Sequence, residues 1–205
     1  MDATIRIKFF MDYICEWCFL GYEILKKLNE KYEFNLEMYP LEIHPDTPID
    51  GMPMSRHISD KKKWTAQLNQ LGNPYGIHLA DKDIFSNTRN ALIVGQYAKT
   101  IGRQKEFTDV LWAMYMEEGH NISSQEMVKH VALEAGLSLA QVQEAFTDPI
   151  YQAALLRNQQ YQQAFGTDQV PAFVINEKYI MIGAQFLDTW EELFQKIKSE
   201  MGNLM

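Results

Sequence analysis

Residues 5–20 of this 205-residue chain have the sequence IRIKFFMDYICEWCFL. The first half mixes β-branched and aromatic residues with polar ones, which predicts a strand over residues 4–11. The chain has two cysteines, Cys15 and Cys18, and both follow this strand closely. Apolar residues then recur at helical spacing over residues 16–31, so an amphipathic helix is expected to begin at the cysteines.

Two residues separate the cysteines on the first turn of this helix, a spacing at which their sulfurs can approach within bonding distance. Unpaired backbone N–H groups and the helix dipole favour a thiolate at the N-terminal cysteine, and the thiolate is the nucleophilic form. A C-x-x-C pair at a strand-to-helix junction is a redox signature. The pattern therefore predicts dithiol–disulfide chemistry at Cys15 and Cys18.

Three other roles compete for this cysteine pair. Two free cysteines can simply fill an apolar core. Structural zinc needs four ligands, whereas the chain has no second cysteine pair and no H-x3-H spacing among its five histidines, so no metal site is expected. A disulfide between residues this close in sequence constrains little unfolded-state entropy. Reactivity therefore explains the spacing better than stability does.

Composition limits the class of partner. The formal net charge is −8 and 46% of the residues are hydrophobic, so the chain is globular and lacks the basic footprint of a protein that binds nucleic acid or anionic membranes. No apolar run approaches the length of a membrane-spanning helix. The N-terminal residues enter the first strand without a signal-peptide pattern. We therefore predict a cytoplasmic protein, in which a disulfide is transient and catalytic.

The rest of the chain divides into three parts. Residues 34–41 alternate as a second strand, which completes a βαβ unit. Helical patterning follows, interrupted by glycine and proline, in the segments 58–71, 87–102, 104–118, 124–135, 139–147 and 149–165. Residues 172–175 and 179–182 predict a hairpin, and a last helix is expected over 187–200. This order indicates an α/β protein with a mixed four-stranded sheet and a helical insertion.

Several sequence blocks resemble one known family. They are Cys15-Glu16-Trp17-Cys18-Phe19-Leu20-Gly21, Ser86-Asn87-Thr88-Arg89-Asn90-Ala91-Leu92, Tyr115-Met116-Glu117-Glu118-Gly119, Val170-Pro171-Ala172-Phe173-Val174-Ile175-Asn176 and Gly183-Ala184-Gln185. The chain resembles the DsbA family of thioredoxin-fold proteins, and within it the FrnE-like branch of thiol–disulfide oxidoreductases. The resemblance implies a thioredoxin-like domain formed by residues 1–54 and 167–205, with a DsbA-like α-helical insertion domain at residues 55–166.

The resemblance also implies roles for particular residues. Cys15 would be the attacking thiolate and Cys18 the buried thiol that resolves the mixed disulfide. Val170-Pro171 would stand where the family presents a cis proline to the dithiol, which exposes the Val170 backbone to an extended peptide or to glutathione. Family members usually carry proline where this chain has Glu16. A carboxylate beside Cys15 disfavours the thiolate, which predicts a less oxidising disulfide.

Two further side chains are predicted to contact substrate. Trp17 either shields the disulfide or packs within its helix, and both roles are left open. Arg89 offers a guanidinium for a carboxylate of substrate or glutathione, against an ordinary surface or capping role. The predicted site thus comprises the catalytic residues Cys15 and Cys18 and the substrate-binding residues Trp17, Val170, Pro171 and Arg89. No metal and no bound cofactor are expected, with glutathione as a redox partner.

Two other functions are left open. A glutathione-dependent transferase or isomerase of the kappa-class or hydroxychromene-carboxylate isomerase type shares this fold, but it typically has serine at the nucleophilic position, so the two retained cysteines favour redox chemistry. A non-catalytic peptide-binding or chaperone-like module would use the groove beside Pro171. The expected partners are protein or low-molecular-weight thiols and disulfides, without nucleic acid or membrane, for a monomer or a homodimer.

Overall fold

The computed structural model describes residues 4–202. The strands are β1 (Ile5–Met11), β2 (Phe34–Pro40), β3 (Met52–Pro53), β4 (Ile84–Phe85), β5 (Ala172–Ile175) and β6 (Tyr179–Ile182). The helices are α1 (Glu16–Asn29), α2 (Met54–His57), α3 (Lys61–Gly72), α4 (Arg89–Thr100), α5 (Gln104–Trp112), α6 (Gln125–Glu134), α7 (Leu139–Thr147), α8 (Pro149–Ala164) and α9 (Leu187–Gly202). None of the helices in this described range is both long enough and apolar enough to cross a membrane.

Four strands form the main sheet in the order β2-β1-β5-β6. Strands β1 and β2 are parallel, whereas β5 is antiparallel to both β1 and β6. The hairpin between β5 and β6 turns at Asn176 and Glu177, which have positive φ angles of 51° and 57°. The mixed four-stranded sheet and the C-terminal hairpin predicted from the sequence are therefore confirmed.

The C-terminal part of β1, residues 9–11, is buried on both faces of the sheet. Phe9 stacks on Phe173 of β5 at 4.7 Å between ring centroids, and Phe173 in turn contacts Trp190 of α9. The next residue, Phe10, points to the opposite face and packs against Tyr161 of α8, because successive side chains of a strand alternate between faces. Helices on both sides of the sheet thus fix the strand that leads to the cysteines.

Trp112 at the end of α5 anchors the helical segment to this core. Its ring packs against Tyr22 of α1 at 5.0 Å and against Tyr13 at 5.7 Å. Its Nε1 donates a hydrogen bond of 3.2 Å to the backbone oxygen of Tyr13, in the turn before Cys15. The insertion therefore supports the turn that carries the first cysteine.

The helical region differs from the prediction at two places. Strands β3 and β4 pair Met52 with Phe85, so that a small second sheet crosses the predicted boundary between residues 54 and 55. The predicted helix 104–118 is α-helical only to Trp112 and continues as a π-helical turn over Ala113–Glu117. Two-residue strands and one-turn changes of helix type leave no periodicity that a sequence pattern can detect.

Candidate active site

Cys15 and Cys18 lie at the N-terminus of α1, as predicted. Cys15 is the N-cap residue, and its Sγ accepts a hydrogen bond of 3.2 Å from the backbone N–H of Cys18, in the place that an oxygen takes in an ordinary cap. The Cys15 side chain is half-buried, whereas Cys18 has no exposed surface. One thiol is therefore partly accessible to a reaction partner, and the other is not.

The two thiols have different electrostatic environments. Burial raises the pKa of the Cys18 thiol well above its usual range, and the hydrogen bond and charge of the Cys15 side chain raise it further. The Cys15 sulfur instead receives an N–H group at the positive end of the helix dipole, which stabilises negative charge. The two thiols therefore differ in burial and in the groups that face them.

Asp12, which was not among the predicted site residues, holds the turn between β1 and α1 in place. Its carboxylate is fully buried and accepts hydrogen bonds from the backbone N–H groups of Ile14 (3.2 Å) and Ile43 (2.9 Å) and from the Thr88 hydroxyl (2.8 Å). Burial raises the pKa of Asp12 to about 6, although these three hydrogen bonds lower it. One carboxylate thus joins the cysteine turn to the loop after β2 and to the start of α4.

Glu16, between the cysteines, has a buried counterion. Its Oε1 lies 3.2 Å from Nζ of Lys82, and the two side chains are only 12% and 3% exposed. The Lys82 ammonium also lies over the Tyr115 ring, 4.9 Å from its centroid, and 3.4 Å from Sδ of Met116. No counterion of Glu16 was predicted from the sequence, and the structure supplies one in Lys82. The predicted effect on the disulfide's oxidising power stays a prediction.

Trp17 packs against the helical insertion. Its half-buried ring meets that of Trp64 in α3 edge to face, with 6.2 Å between centroids. Two roles were considered for Trp17, and the structure shows a partner for the packing role. Contact of Trp17 with substrate stays a prediction. The aromatic pair joins α1 to α3 beside the cysteine turn.

Val170-Pro171 is a cis peptide bond, as the resemblance implied. It directly precedes β5, whose first residue, Ala172, pairs with Phe10 of β1. Since β5 is antiparallel to β1, the start of β5 lies at the same edge of the sheet as the end of β1, from which the chain continues to Cys15. Pairing of the strands thus brings the cis proline to the dithiol's edge of the sheet.

Arg89 has a carboxylate partner within the chain. Its Nε lies 3.0 Å from Oε1 of Glu42 and its Nη2 lies 2.8 Å from Oε2, a bidentate pair. A substrate carboxylate would therefore compete with Glu42 for this guanidinium. Binding of substrate by Arg89 stays a prediction.

The histidines near the site do not form a metal centre. His44 and His57 have ring centroids 5.1 Å apart, and the His57 ring stacks on Phe85. Burial lowers the pKa of His44, and the charge of His57 lowers it further. Among residues 4–202, no three His, Cys, Asp or Glu side chains are grouped so that they could hold a metal ion.

Neither Asp12 nor Lys82 was among the predicted site residues. Asp12 had one signal in the sequence, a carboxylate inside an otherwise apolar stretch at the end of a buried strand. Lys82 had none, because 66 residues separate it from Glu16 and only the path of the chain brings them together.

Comparison with known proteins identifies the family of this architecture. The family model for the DSBA-like thioredoxin domain matches residues 6–195. Uncharacterized protein YwbO of Bacillus subtilis (strain 168) is 23% identical over 193 residues, which cover 92% of this chain and 95% of that protein.

Solved structures confirm the fold. Probable DsbA oxidoreductase SCO1869 from Streptomyces coelicolor superposes with a TM-score of 0.87 at 19% identity, over 96% of this chain and 91% of that one. A 2-hydroxychromene-2-carboxylate isomerase has a TM-score of 0.76 at 15% identity, over 98% and 99%. Cytosolic disulfide reductase DsbM from Pseudomonas aeruginosa, solved with GSH, has a TM-score of 0.72 at 14% identity, over 93% and 98%. The predicted DsbA-like thioredoxin fold is thus confirmed, while the FrnE-like branch stays a prediction.

Proposed function

We propose that this chain, which belongs to the DSBA-like thioredoxin domain family, is a dithiol–disulfide oxidoreductase that uses Cys15 and Cys18. One observation carries the proposal: the half-buried Cys15 sulfur caps α1 by accepting the backbone N–H of Cys18, whose own thiol is fully buried. A core pair of cysteines has no need of one sulfur at a helix N-terminus. A nucleophile does, because the helix dipole stabilises its thiolate.

In the reducing direction, the Cys15 thiolate attacks one sulfur of a substrate disulfide. A bond forms between Cys15 and that sulfur, the substrate disulfide breaks, and its other sulfur leaves as a thiolate. Cys18 then releases its proton to solvent and attacks the Cys15 sulfur, which forms the Cys15–Cys18 disulfide and frees the second substrate thiolate. Two electrons pass to the substrate, and two glutathione molecules restore the dithiol as they form oxidised glutathione.

The reverse sequence oxidises a substrate dithiol. A substrate thiolate attacks Cys15 of the oxidised form, Cys18 leaves as a thiolate, and a second substrate thiolate then displaces Cys15. Protein or low-molecular-weight thiols are the proposed substrates. DsbM, solved with GSH and described as a cytosolic disulfide reductase, is compatible with glutathione as the partner and with the predicted cytoplasmic location.

The surrounding residues have proposed roles in binding substrate. The backbone of Val170, next to the cis Pro171, would pair with an extended substrate segment in the manner of a strand. Trp17 would cover one side of the dithiol together with Trp64. Arg89 would bind a substrate carboxylate in exchange for Glu42.

Equilibration against glutathione buffers, followed by tryptophan fluorescence, tests the proposal. We expect a reversible two-electron transition within roughly −270 to −120 mV, the range of known dithiol oxidoreductases. Cys15→Ser should abolish exchange, whereas Cys18→Ser should retain attack and accumulate a mixed disulfide with glutathione. Exchange that persists in Cys15→Ser, or a wild-type protein that forms no disulfide in any buffer, would contradict the proposal.

The same proteins separate the two alternative functions. A glutathione-dependent isomerase or transferase would act on its substrate without forming the Cys15–Cys18 disulfide. A peptide-holding module would keep its affinity for peptide after Cys15→Ser, since holding needs no nucleophile.

A further inference from the structure

A cleft of about 560 Å³ lies on the α8 side of the sheet. One wall is a face of α8. The other is formed by Arg89 and Asp168 together with four residues that follow β2, namely Leu41, Glu42, Ile43 and Pro45. The residues from α8 are Gln152, Leu155, Leu156, Gln159, Gln162 and Gln163. Their spacing of three and four places them on one side of the helix. The lining is therefore a stripe of carboxamides interrupted by two leucines.

Gln162 in this stripe has an unsatisfied acceptor. Its side chain is 1% exposed, and its Nε2 donates a hydrogen bond of 2.6 Å to the backbone oxygen of Gln169. Its Oε1 is buried without a hydrogen-bond partner, although the residue lines the cleft. Buried polar atoms in native proteins are nearly always paired. An N–H group from a bound molecule would donate the hydrogen bond that Gln162 Oε1 lacks.

The chemistry of the lining fits a peptide backbone. A glutamine carboxamide both donates and accepts hydrogen bonds, as a peptide group does. The face from Gln152 to Gln163 is about 16 Å long, which matches about five residues of extended chain. The leucines between the glutamines offer apolar contact to the side chains of such a segment.

Charge distinguishes a polypeptide from glutathione in this cleft. Two carboxylates, of Glu42 and Asp168, and one guanidinium, of Arg89, line it, so these groups sum to one negative charge. The guanidinium is already paired with Glu42. Glutathione carries two carboxylates and a net negative charge, which this lining disfavours. A neutral or basic polypeptide meets no such repulsion.

Residues that line the cleft are hydrogen-bonded to the segments that carry the dithiol and the cis proline. Ile43, on one wall, donates its N–H to the Asp12 carboxylate, and the backbone oxygen of Asp12 accepts the N–H of Cys15 at 3.2 Å. On the other side, Gln169 accepts the hydrogen bond of Gln162 and directly precedes Val170-Pro171. A chain lying in the cleft would therefore continue toward the cysteine turn and the cis proline.

We propose that this cleft binds an extended polypeptide segment of neutral or positive charge, next to the cysteine that exchanges with Cys15. Gln162 Oε1 accepts a backbone N–H of the segment, and Gln152, Gln159 and Gln163 pair with further peptide groups. The proposal rests on the proposed exchange function, and it selects polypeptides over low-molecular-weight thiols as the preferred substrates.

Binding is measured first without any redox step. A fluorescein-labelled ten-residue peptide of net charge +1, with serine in place of cysteine, is titrated with the reduced protein, and anisotropy is recorded. We expect saturable binding that Gln159→Trp weakens at least about tenfold by filling the cleft. Gln162→Leu should weaken it about five- to tenfold, because this change removes both the acceptor for the segment and the hydrogen bond to Gln169. Gln160→Trp is the matched control, because Gln160 is exposed on the same helix but does not line the cleft.

Equal affinity of the wild type and Gln159→Trp, or no saturable binding by the wild type, would overturn the proposal. Exchange is then measured with the cysteine peptide, as a disulfide with glutathione, and with a small aromatic disulfide. The ratio of the two kcat/KM values should fall at least about tenfold in Gln159→Trp and stay at the wild-type value in Gln160→Trp. Peptide binding without any exchange would refute the proposed function but not peptide binding by the cleft. Exchange without selectivity for the peptide would refute the role of the cleft alone.

Discussion

Replacing Lys82 by methionine should strongly destabilise the protein through Glu16. The two charges are 3.2 Å apart and nearly inaccessible to water, so their attraction amounts to about 5 kcal/mol at an effective dielectric constant of about 20. Methionine keeps the unbranched apolar stem but leaves the Glu16 carboxylate buried without a counterion. Breaking one side of a buried pair costs about 3–5 kcal/mol, which we expect as the loss in the free energy of unfolding.

Glu16→Gln and the double variant complete a double-mutant cycle, and their expected losses in the free energy of unfolding differ. Glu16→Gln leaves an oxygen that still accepts a hydrogen bond from Lys82, and the expected loss is roughly 1–3 kcal/mol. The double variant carries no buried charge and should lie within about 1 kcal/mol of the wild type, since a neutral pair of similar volume avoids the desolvation of both ions. The two losses should therefore be non-additive by about 3 kcal/mol or more.

Urea unfolding at pH 7 under reducing conditions, followed by circular dichroism, measures all four proteins. Lys62→Met is the matched control, because Lys62 is exposed at the start of α3, and it should change stability by less than about 0.5 kcal/mol. The reasoning is refuted if Lys82→Met is as stable as this control, or if the double variant loses the sum of the two single losses.

Other substitutions test the support of the cysteine turn and the helices. Burial raises the pKa of Asp12 from 3.8 to about 6, so between these values the folded protein holds a proton that the unfolded chain releases. Stability is therefore lost as pH rises through that window. Relative to Asp12→Asn, the wild type should lose about 2 kcal/mol between pH 4 and pH 7 in urea titrations. Gly95→Ala would place a Cβ 2.6 Å from the Tyr13 hydroxyl, and calorimetry should show about 1–3 kcal/mol of destabilisation. Ser138→Ala removes the capping box with Gln141 and should cost about 1 kcal/mol in the same assay, with no change in exchange rate.

Much of the fold was predictable because its elements are defined locally. Alternation in β1 and β2 and the 3.6-residue period of α1 each depend on residues that are neighbours along the chain. The predicted helices 139–147 and 149–165 match α7 (Leu139–Thr147) and α8 (Pro149–Ala164) almost residue for residue. The two-residue strands β3 and β4 were missed, because each exists only through pairing with the other.

The structure places the two predicted cysteines together at the start of α1 and surrounds them with buried groups that were not predicted. Cys15 and Cys18 were found because a strand-to-helix junction and a C-x-x-C spacing are both readable in sixteen residues. Asp12, whose carboxylate binds residues of two other segments, and Lys82, which neutralises Glu16, were not found.

The sequence by itself determined where the dithiol stands: at the start of a helix, after a buried strand, in a chain that carries a helical insertion. These properties follow from spacing and polarity within single segments. Only the tertiary structure decided the environment of that dithiol, because burial and charge pairing depend on which distant segments meet. Glu16 is the clearest example, since the same carboxylate is an uncompensated charge in the sequence and one half of a buried ion pair in the folded chain.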